Sequence, residues 1–457
     1  MTDKTELIET AEKIVEDLSQ KNYAEVKRLL SEFNSVDLAE MLYEIPDDRL
    51  SIVFRLLPKE LAADVFVDMD TEQQETLLSK FNDKEIKDVL NGLFVDDTVD
   101  IIEEMPAAIV KRILKQADKE TRDSINAILS YPPDSAGSIM TTEYVSLKEE
   151  YLVKDAFEKI RRTGPDKETI YTCYVTDKSR RLVGIVSART LLLSTPDDKI
   201  ADIMETNVIS VDTHADKEYV AREIQRYGFL SMPVVDKENR LVGIVTVDDA
   251  MDVLREENNE DFSKMSAVTP SDKPYLKTSV FKIFLNRLPW LLLLMVSATF
   301  TSLIISSYED ALLGISVTLF ACVPMLMDTG GNAGSQASVT IIRGIALGET
   351  MPKDVLKVIW KELRVALMLG VVMSIVCFGK LMVIDSLYNP VTPMVALTVS
   401  LALFITIVLA KFIGSTLPLL AKVIRLDPAV VASPFITTFV DAISLIIYSN
   451  IALALLG

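Results

Sequence analysis

The chain has 457 residues, with 66 Asp and Glu against 47 Lys and Arg, one His, three Cys and a formal net charge of −19 at pH 7. That length exceeds one ordinary domain. A single His excludes imidazole-rich zinc or iron sites, and Cys173, Cys322 and Cys377 lie too far apart in sequence for a thiolate cluster, a redox pair or a disulfide framework.

The apolar fraction of 49% averages two unlike halves. Residues 281–457 hold seven Lys and four Arg against nine acids, a net of +2, which leaves −21 on residues 1–280. The amino terminus is rich in Asp, Glu and Lys and lacks an apolar core, so no signal peptide is expected.

In chain order, a short repeat comes first. From Asn34, steps of twelve reach Pro46, Pro58, Asp70, Asn82, Phe94, Pro106 and Asp118, mostly residue types that cap a helix or begin its first turn. Seven and eight positions after each start lie apolar pairs, from Met41-Leu42 through Val65-Phe66 to Ile113-Leu114. One apolar face per unit predicts short helices stacked as a superhelix within residues 1–130. Such a stack is a scaffold or a moving interaction domain, with no catalysis of its own.

A longer repeat follows. Ser138-Ile-Met140 through Arg181-Leu-Val-Gly-Ile-Val-Ser187 recurs as Asp202-Ile-Met204 through Arg240-Leu-Val-Gly-Ile-Val-Thr246. Each copy predicts a strand, a helix, a strand ending in Asp and a turn, a β-branched strand and a further helix. The repeat resembles a tandem pair of cystathionine-β-synthase (CBS) domains, residues 138–200 and 201–253. That resemblance implies a pseudo-symmetric sensing module, often with a cleft for ATP or another adenine nucleotide. The ribose positions match Thr246 and Asp249 in the second copy, whereas the first has Ser187 but Thr190 in place of the acid. One nucleotide site at most is expected, against the other reading of a structural pair with an empty cleft.

Residues 254–280 form an acidic connecting helix and linker. Asp248 and Asp252, like Glu256 and Glu260, are spaced i,i+4, so like charges stack on one face. A solvated face is the usual reason for such a run. Set against other acids, such as Asp96, Asp97 and Asp100 in the helical stack, it would need divalent cations to become compact.

Five apolar stretches are then expected to span a bilayer: about 288–305, 311–327, 365–383, 395–420 (interrupted by Lys411) and 434–456. Lys277, Lys282 and Arg287 precede the first; Arg343 to Arg364 separate the second and third; Lys422 and Arg425 separate the fourth and fifth. Basic loops stay on the cytoplasmic side, so the amino terminus is expected inside and Gly457 outside.

Two membrane motifs carry chemistry. In Pro324-Met-Leu-Met-Asp-Thr-Gly-Gly-Asn-Ala-Gly-Ser-Gln336, Gly330 and Gly331 permit close backbone approach or unwinding, and Asn332 offers an oxygen. Small-residue helix packing is the bland alternative for an isolated Gly-Gly pair, but the accompanying Asn, Ser and Gln favour the polar, cavity-lining reading here. In Asp427-Pro-Ala-Val-Val-Ala-Ser-Pro-Phe-Ile-Thr-Thr-Phe-Val-Asp441, Asp441 lies deep in the last span with no basic residue in that span. A carboxylate there is costly unless it meets water or a cation. The bland alternative is a protonated Asp bonded to a neighbouring helix.

The order of superhelix, CBS pair, acidic helix and five spans, with the two motifs, resembles the MgtE family of magnesium channels over essentially the whole chain. The resemblance implies a multidomain α-helical membrane protein: a cytosolic α-superhelix and tandem α/β CBS domains, then five transmembrane helices in residues 281–457. It implies a homodimer in a lipid bilayer, a bacterial-type inner (plasma) membrane, with Mg²⁺ both transported and regulatory, no nucleic-acid partner and no enzymatic activity. Carried onto this sequence, Asp441, Asn332, Gly330 and Gly331 fall in the pore. Asp96, Asp100, Asp216, Glu218, Asp248, Asp249, Asp252, Glu257, Glu260, Asp261 and Asp427 fall at regulatory metal sites. Gln225 and Gly228 stand where the family's second CBS domain has acids. Two alternatives stay open: an ion-coupled divalent cation exchanger of the same fold, and a membrane-anchored CBS nucleotide sensor.

Overall fold

The computed structural model describes residues 4–271, 275–276, 278–431 and 433–457. Lys277, counted above among the basic residues before the first span, lies outside them. The chain divides into two compact units, Met1–Arg255 and Glu256–Gly457.

The first unit begins with ten helices: α1 (Lys4–Ser19), α2 (Tyr23–Leu30), α3 (Ser35–Leu42), α4 (Asp47–Phe54), α5 (Lys59–Val67), α6 (Thr71–Lys80), α7 (Asp83–Leu90), α8 (Val95–Glu104), α9 (Ala107–Gln116) and α10 (Lys119–Ile128). Asn34, Pro46, Pro58, Asp70, Asn82, Phe94, Pro106 and Asp118 are the N-caps of α3 to α10. The Asn and Asp caps accept bonds from amides of the first turn, the proline caps have no such bond, and Phe94 caps without one. The paired apolar positions point inward, and Met41, Leu42, Val53, Val65, Leu77 and Ile113 have no exposed surface. No helix of eight to ten residues is stable alone, so neighbours supply the burial that holds each one.

The repeat that follows forms two three-stranded sheets. In the first, β1 (Tyr144–Lys148) runs parallel to β2 (Thr169–Thr176), which pairs antiparallel with β3 (Leu182–Ser187). In the second, β4 (Val211–Asp212), β5 (Ser231–Val235) and β6 (Leu241–Thr246) repeat that order. The helices are α11 (Val153–Thr163), α12 (Ala188–Leu193), α13 (Ile200–Ile203), α14 (Lys217–Tyr227) and α15 (Val247–Met265). Asp177 and Asp236 hold matching turns, each accepting amides two and four residues on. The copies exchange their leading anchors. Thr141 pairs with Ile244 and Glu205 with Ile185. A side chain on Gly243 would strike Met140 Sδ at 2.6 Å, and one on Gly184 would strike Met204 Sδ at 2.7 Å. Each glycine is thus the notch that seats the other copy's methionine. One apolar cluster joins the helical stack to the second sheet through Met140, Met232, Val234 and Val245.

The division between the units falls inside α15, which continues unbroken to Met265. The second unit then contains α16 (Val280–Ile315), α17 (Val317–Ala321), α18 (Val323–Ala346), α19 (Val355–Val383), α20 (Pro393–Val423) and α21 (Ser433–Leu456). Among the described residues four segments are long and apolar enough to cross a bilayer: α16, α19 with its flanking turns, α20 and α21 from Pro434 on. Over half of the apolar window of α20 is buried, against 6% for α16, so α20 is the centre of this unit and α16 presents its surface outward.

The expected second span, residues 311–327, is not one helix. α16 ends at Ile315, extended Ser316 turns the chain and caps α17 through the Thr318 amide, and α18 begins only at Val323. Hydropathy sees a continuous apolar run because the break uses a small residue and no charge. Nor do the glycines unwind α18, which is helical through the whole motif. They permit contact: a Cβ on Gly414 of α20 would lie 2.2 Å from the Gly334 carbonyl oxygen, and one on Gly330 2.7 Å from Thr406. The small-residue packing reading therefore accounts for these glycines.

Candidate functional site

The glycine contacts bring α18 against α20 and α21, and place Gly331, the chain neighbour of Asn332, beside Asp441. A Cβ on Gly331 would fall 3.1 Å from Asp441 Oδ1 and 2.6 Å from Thr437, one turn earlier on α21. Asp441 Oδ1 is buried and has no hydrogen-bond partner among the described residues. Ser335 and Thr437 hydroxyls meet at 3.1 Å. Asp328, Asn332, Gln336 and Thr340 recur every fourth residue on α18, and all four are exposed. Asp328, not anticipated from sequence, lies within electrostatic reach of Asp441. Such a stripe on a helix between apolar helices cannot face hydrocarbon. It suits a water-filled path where a hydrated cation meets carboxylate and amide oxygens.

A second acidic site lies wholly within the first unit. Asp96 and Asp97 at the start of α8 face Asp248 and Asp249 at the start of α15, with Glu143 and Glu168 from the first copy. Burial, and then Asp249, push the Asp96 carboxyl well above its ordinary range, and its Oδ1 is buried without a hydrogen-bond partner among the described residues. Burial and Asp249 likewise raise Asp97 to about 6. Burial, followed by Asp97, Asp248 and Asp249, raises Glu168 to about 8, and its Oε2 is also without a hydrogen-bond partner among the described residues. Asp249, raised chiefly by burial to about 6, accepts a bond from the Thr246 hydroxyl. No ready chelate of three or more carboxylate, thiol or imidazole groups occurs among the described residues. These acids act on one another through space, and the orphaned oxygens suit a cation that keeps part of its water.

The remaining anticipated residues are dispersed. Asp216 accepts the Tyr219 amide as the cap of α14, and Glu218 is paired with Arg222 on the same helix. Gly228 ends α14 at φ +67°, a conformation that favours glycine over an acid. Asp252 pairs with Arg255 at 2.9 Å and also acts electrostatically on Asp68, which burial pushes up first of all. Asp100, Glu257 and Asp261 lie on α8 and α15. In the second unit, Lys264 bridges Glu260 and Asp427, at 2.7 Å to each. Burial opposes the Lys264 ammonium, but these two hydrogen bonds outweigh it and hold its pKa above the usual lysine value. Asp427 also accepts the Ala429 amide. Sequence reading missed Glu143, Glu168 and Lys264, because the acids that Glu143 and Glu168 face, and the Asp427 that Lys264 joins to its own helix, lie far away along the chain.

With this geometry in hand, comparison with known proteins gives a consistent result. A family described as MgtE, divalent cation transporter, matches residues 323–451; the MgtE intracellular N domain matches 33–134, and CBS domains match 136–195 and 200–256. The magnesium transporter MgtE of Thermus thermophilus is 34% identical over 444 residues, 96% of this chain and 97% of that protein. The magnesium transporter MgtE of Bacillus subtilis is 33% identical over 432 residues, 94% and 93% of the two chains. Among solved structures, the cytosolic domain of the Mg²⁺ channel MgtE in complex with ATP is 36% identical, with a TM-score of 0.51, covering 53% of this chain and 99% of that one.

Proposed function

The chain belongs to the MgtE family, and on that premise we propose that it is a Mg²⁺ channel of the plasma membrane whose cytosolic acids sense internal Mg²⁺. The observation that carries this reading is the exposed polar stripe Asp328, Asn332, Gln336 and Thr340 on the helix packed against Asp441, whose Oδ1 has no hydrogen-bond partner among the described residues. Two copies of the chain facing one another along that stripe would enclose a wet path with one Asp441 from each. A pair of carboxylates attracts a divalent ion without the tight cage that would hold it, and conduction needs escape as well as entry. Gly330 and Gly331 act by letting the helices approach, and Asn332 contacts the ion's water. Entry runs down the membrane potential, worth about 4.6 kcal/mol for two charges at 100 mV, so no chemical energy source and no catalytic group is required. The amino terminus is cytoplasmic and the carboxyl terminus outside, as the basic loops favour.

Regulation uses the second site. At low internal Mg²⁺ Asp96, Asp97, Glu168, Asp248 and Asp249 crowd one another, and burial keeps part of them protonated; as Mg²⁺ rises it displaces those protons, neutralises the carboxylates and favours a compact, closed form. Linkage requires tighter Mg²⁺ binding to the closed form than to the open one. Glu257, Glu260, Asp261 and Asp427 extend this response to the second unit, where Lys264 already supplies one cation. ATP, which the similar cytosolic domain holds, would find its ribose ligands here in Thr246 and Asp249.

The test is Mg²⁺ flux in proteoliposomes at clamped voltage with internal Mg²⁺ varied. Inward flux should follow voltage and decline as internal Mg²⁺ rises. Flux that instead demands a proton or sodium gradient at fixed voltage would exclude a channel.

A further inference from the structure

The second unit contains a buried ion pair with no role in the function proposed above. Lys411, which interrupts the apolar run of α20, has only 7% of its side chain exposed, and Glu362 near the start of α19 has 12%. Their Nζ and Oε2 atoms are 3.8 Å apart, and Oε2 has no hydrogen-bond partner among the described residues. Both line a cavity of about 770 Å³ together with Asn332, Ser335, Gln336 and Thr340 of α18. A charged pair inside apolar helices is costly, and it is retained where a wet cavity gives it a task.

The cavity adjoins the deep carboxylate. Ser335 lines it and meets Thr437, one turn before Asp441. Glu362 lies seven residues into α19, about 10 Å along that helix, on the side of the basic loop between α18 and α19. An ion leaving Asp441 in the inward direction would therefore meet this cavity next. Asp441 has no basic partner among the described residues and feels Asp328, so its described surroundings are negative. The cavity holds one acid and one ammonium and is neutral.

We propose that Lys411 sets how long a divalent cation dwells in this cavity. Its ammonium is a tethered counter-ion for Glu362. A passing cation gains that carboxylate only by competing with Lys411, so the path presents a strong site at Asp441 followed by a weak one. A bare Glu362 would give a second strong site in series and slow release. Lys411 is on this account a specificity-determining residue of the permeation path, and the inference rests on the channel reading.

Opposite effects of the two single substitutions test it, with Mg²⁺ as the probe in proteoliposomes of the full chain. Lys411→Gln should lower the half-saturating Mg²⁺ concentration about tenfold or more and reduce maximal flux, because it bares Glu362. Glu362→Gln should raise half-saturation by a comparable factor, because it leaves an unpaired ammonium facing the ion. The double variant should return to within about twofold of the wild type. Lys411→Arg, which keeps the charge, should behave as the wild type. A pair that only supports the fold would lower the yield and flux of all three neutral variants without moving half-saturation in opposite directions; that result overturns the proposal. If Lys411→Gln does not fold, Glu362→Gln and the double variant carry the test, and equal half-saturation in both and in the wild type overturns it. A wild-type protein that passes no Mg²⁺ defeats the channel reading itself, a different failure.

Discussion

In residues 1–255 the buried Asp96 and the half-buried Asp97, Glu168 and Asp249 are gathered against one another, whereas in residues 256–457 Glu362 lies beside Lys411, and Glu260 and Asp427 share Lys264. The first arrangement leaves neutralisation to something that arrives from solution, a proton or a metal ion. The second carries its cations within the chain. Among the described residues Asp441, with Asp328 in electrostatic reach, departs from that pattern, and on the proposed function it is the acid an ion would pass. On the proposed function, the contrast would separate a sensor, whose charge state must vary, from a conduit, whose charge must stay constant while ions move through it.

The largest expected effect tests the exception. Asp441→Ala should reduce voltage-driven Mg²⁺ flux about a hundredfold or more, to the leak of empty vesicles; normal uptake would remove Asp441 from the path. Next, Asp97→Asn combined with Asp249→Asn should move the internal Mg²⁺ concentration for half-inhibition upward by about tenfold, leaving flux at low internal Mg²⁺ as it was. Unchanged inhibition would show that the acids of the first unit are not the sensor.

A thermal experiment sharpens the same contrast. Asp97 and Asp249 at about 6 and Glu168 at about 8 are raised above their ordinary values, so the folded unit binds protons that the unfolded chain has already released. Stability is therefore greatest below about pH 4 as far as these groups decide it, falls through pH 4 to 8, and bears the full cost above pH 8. Glu25, held at about 2 by Arg28, titrates below this window. In EDTA the unit's melting temperature should fall by several degrees between pH 5 and pH 8, and Mg²⁺ should restore it at pH 8 while doing little at pH 5. A Mg²⁺ effect equal at both values would contradict the charge argument. The smallest effect belongs to a residue outside either site. Asn82→Ala removes a reciprocal cap with Glu85 on α7 and should cost about 1 kcal/mol in denaturant titrations without moving any Mg²⁺ response.

Much of this contrast could be read along the chain, and the limits were physical. The twelve-residue spacing marks helix starts because Asn, Asp and Pro act locally, through their own amides and ring. The CBS repeat is visible because the same β-branched strand and turn occur twice, and the deep Asp441 stands out against apolar neighbours. Pairings across the fold were a different matter. Glu362 and Lys411 are distant in sequence, so Lys411 registers only as an interruption of a span; Lys264 joins an acid on its own helix to Asp427, and no local pattern announces it. The break at Ser316 escaped for the opposite reason, since it leaves hydropathy unchanged.

The exchanged anchors of the CBS pair carry a consequence for how this chain can be divided or shortened. Met140 fills the notch at Gly243, and Met204 fills the notch at Gly184. Severing the polypeptide near residue 200 would strip each sheet of its stopper and give two open halves, neither of them a finished domain. The tandem is one indivisible piece made by a duplication whose products interlock, and a perturbation that loosens one notch is delivered directly to the other copy's leading strand.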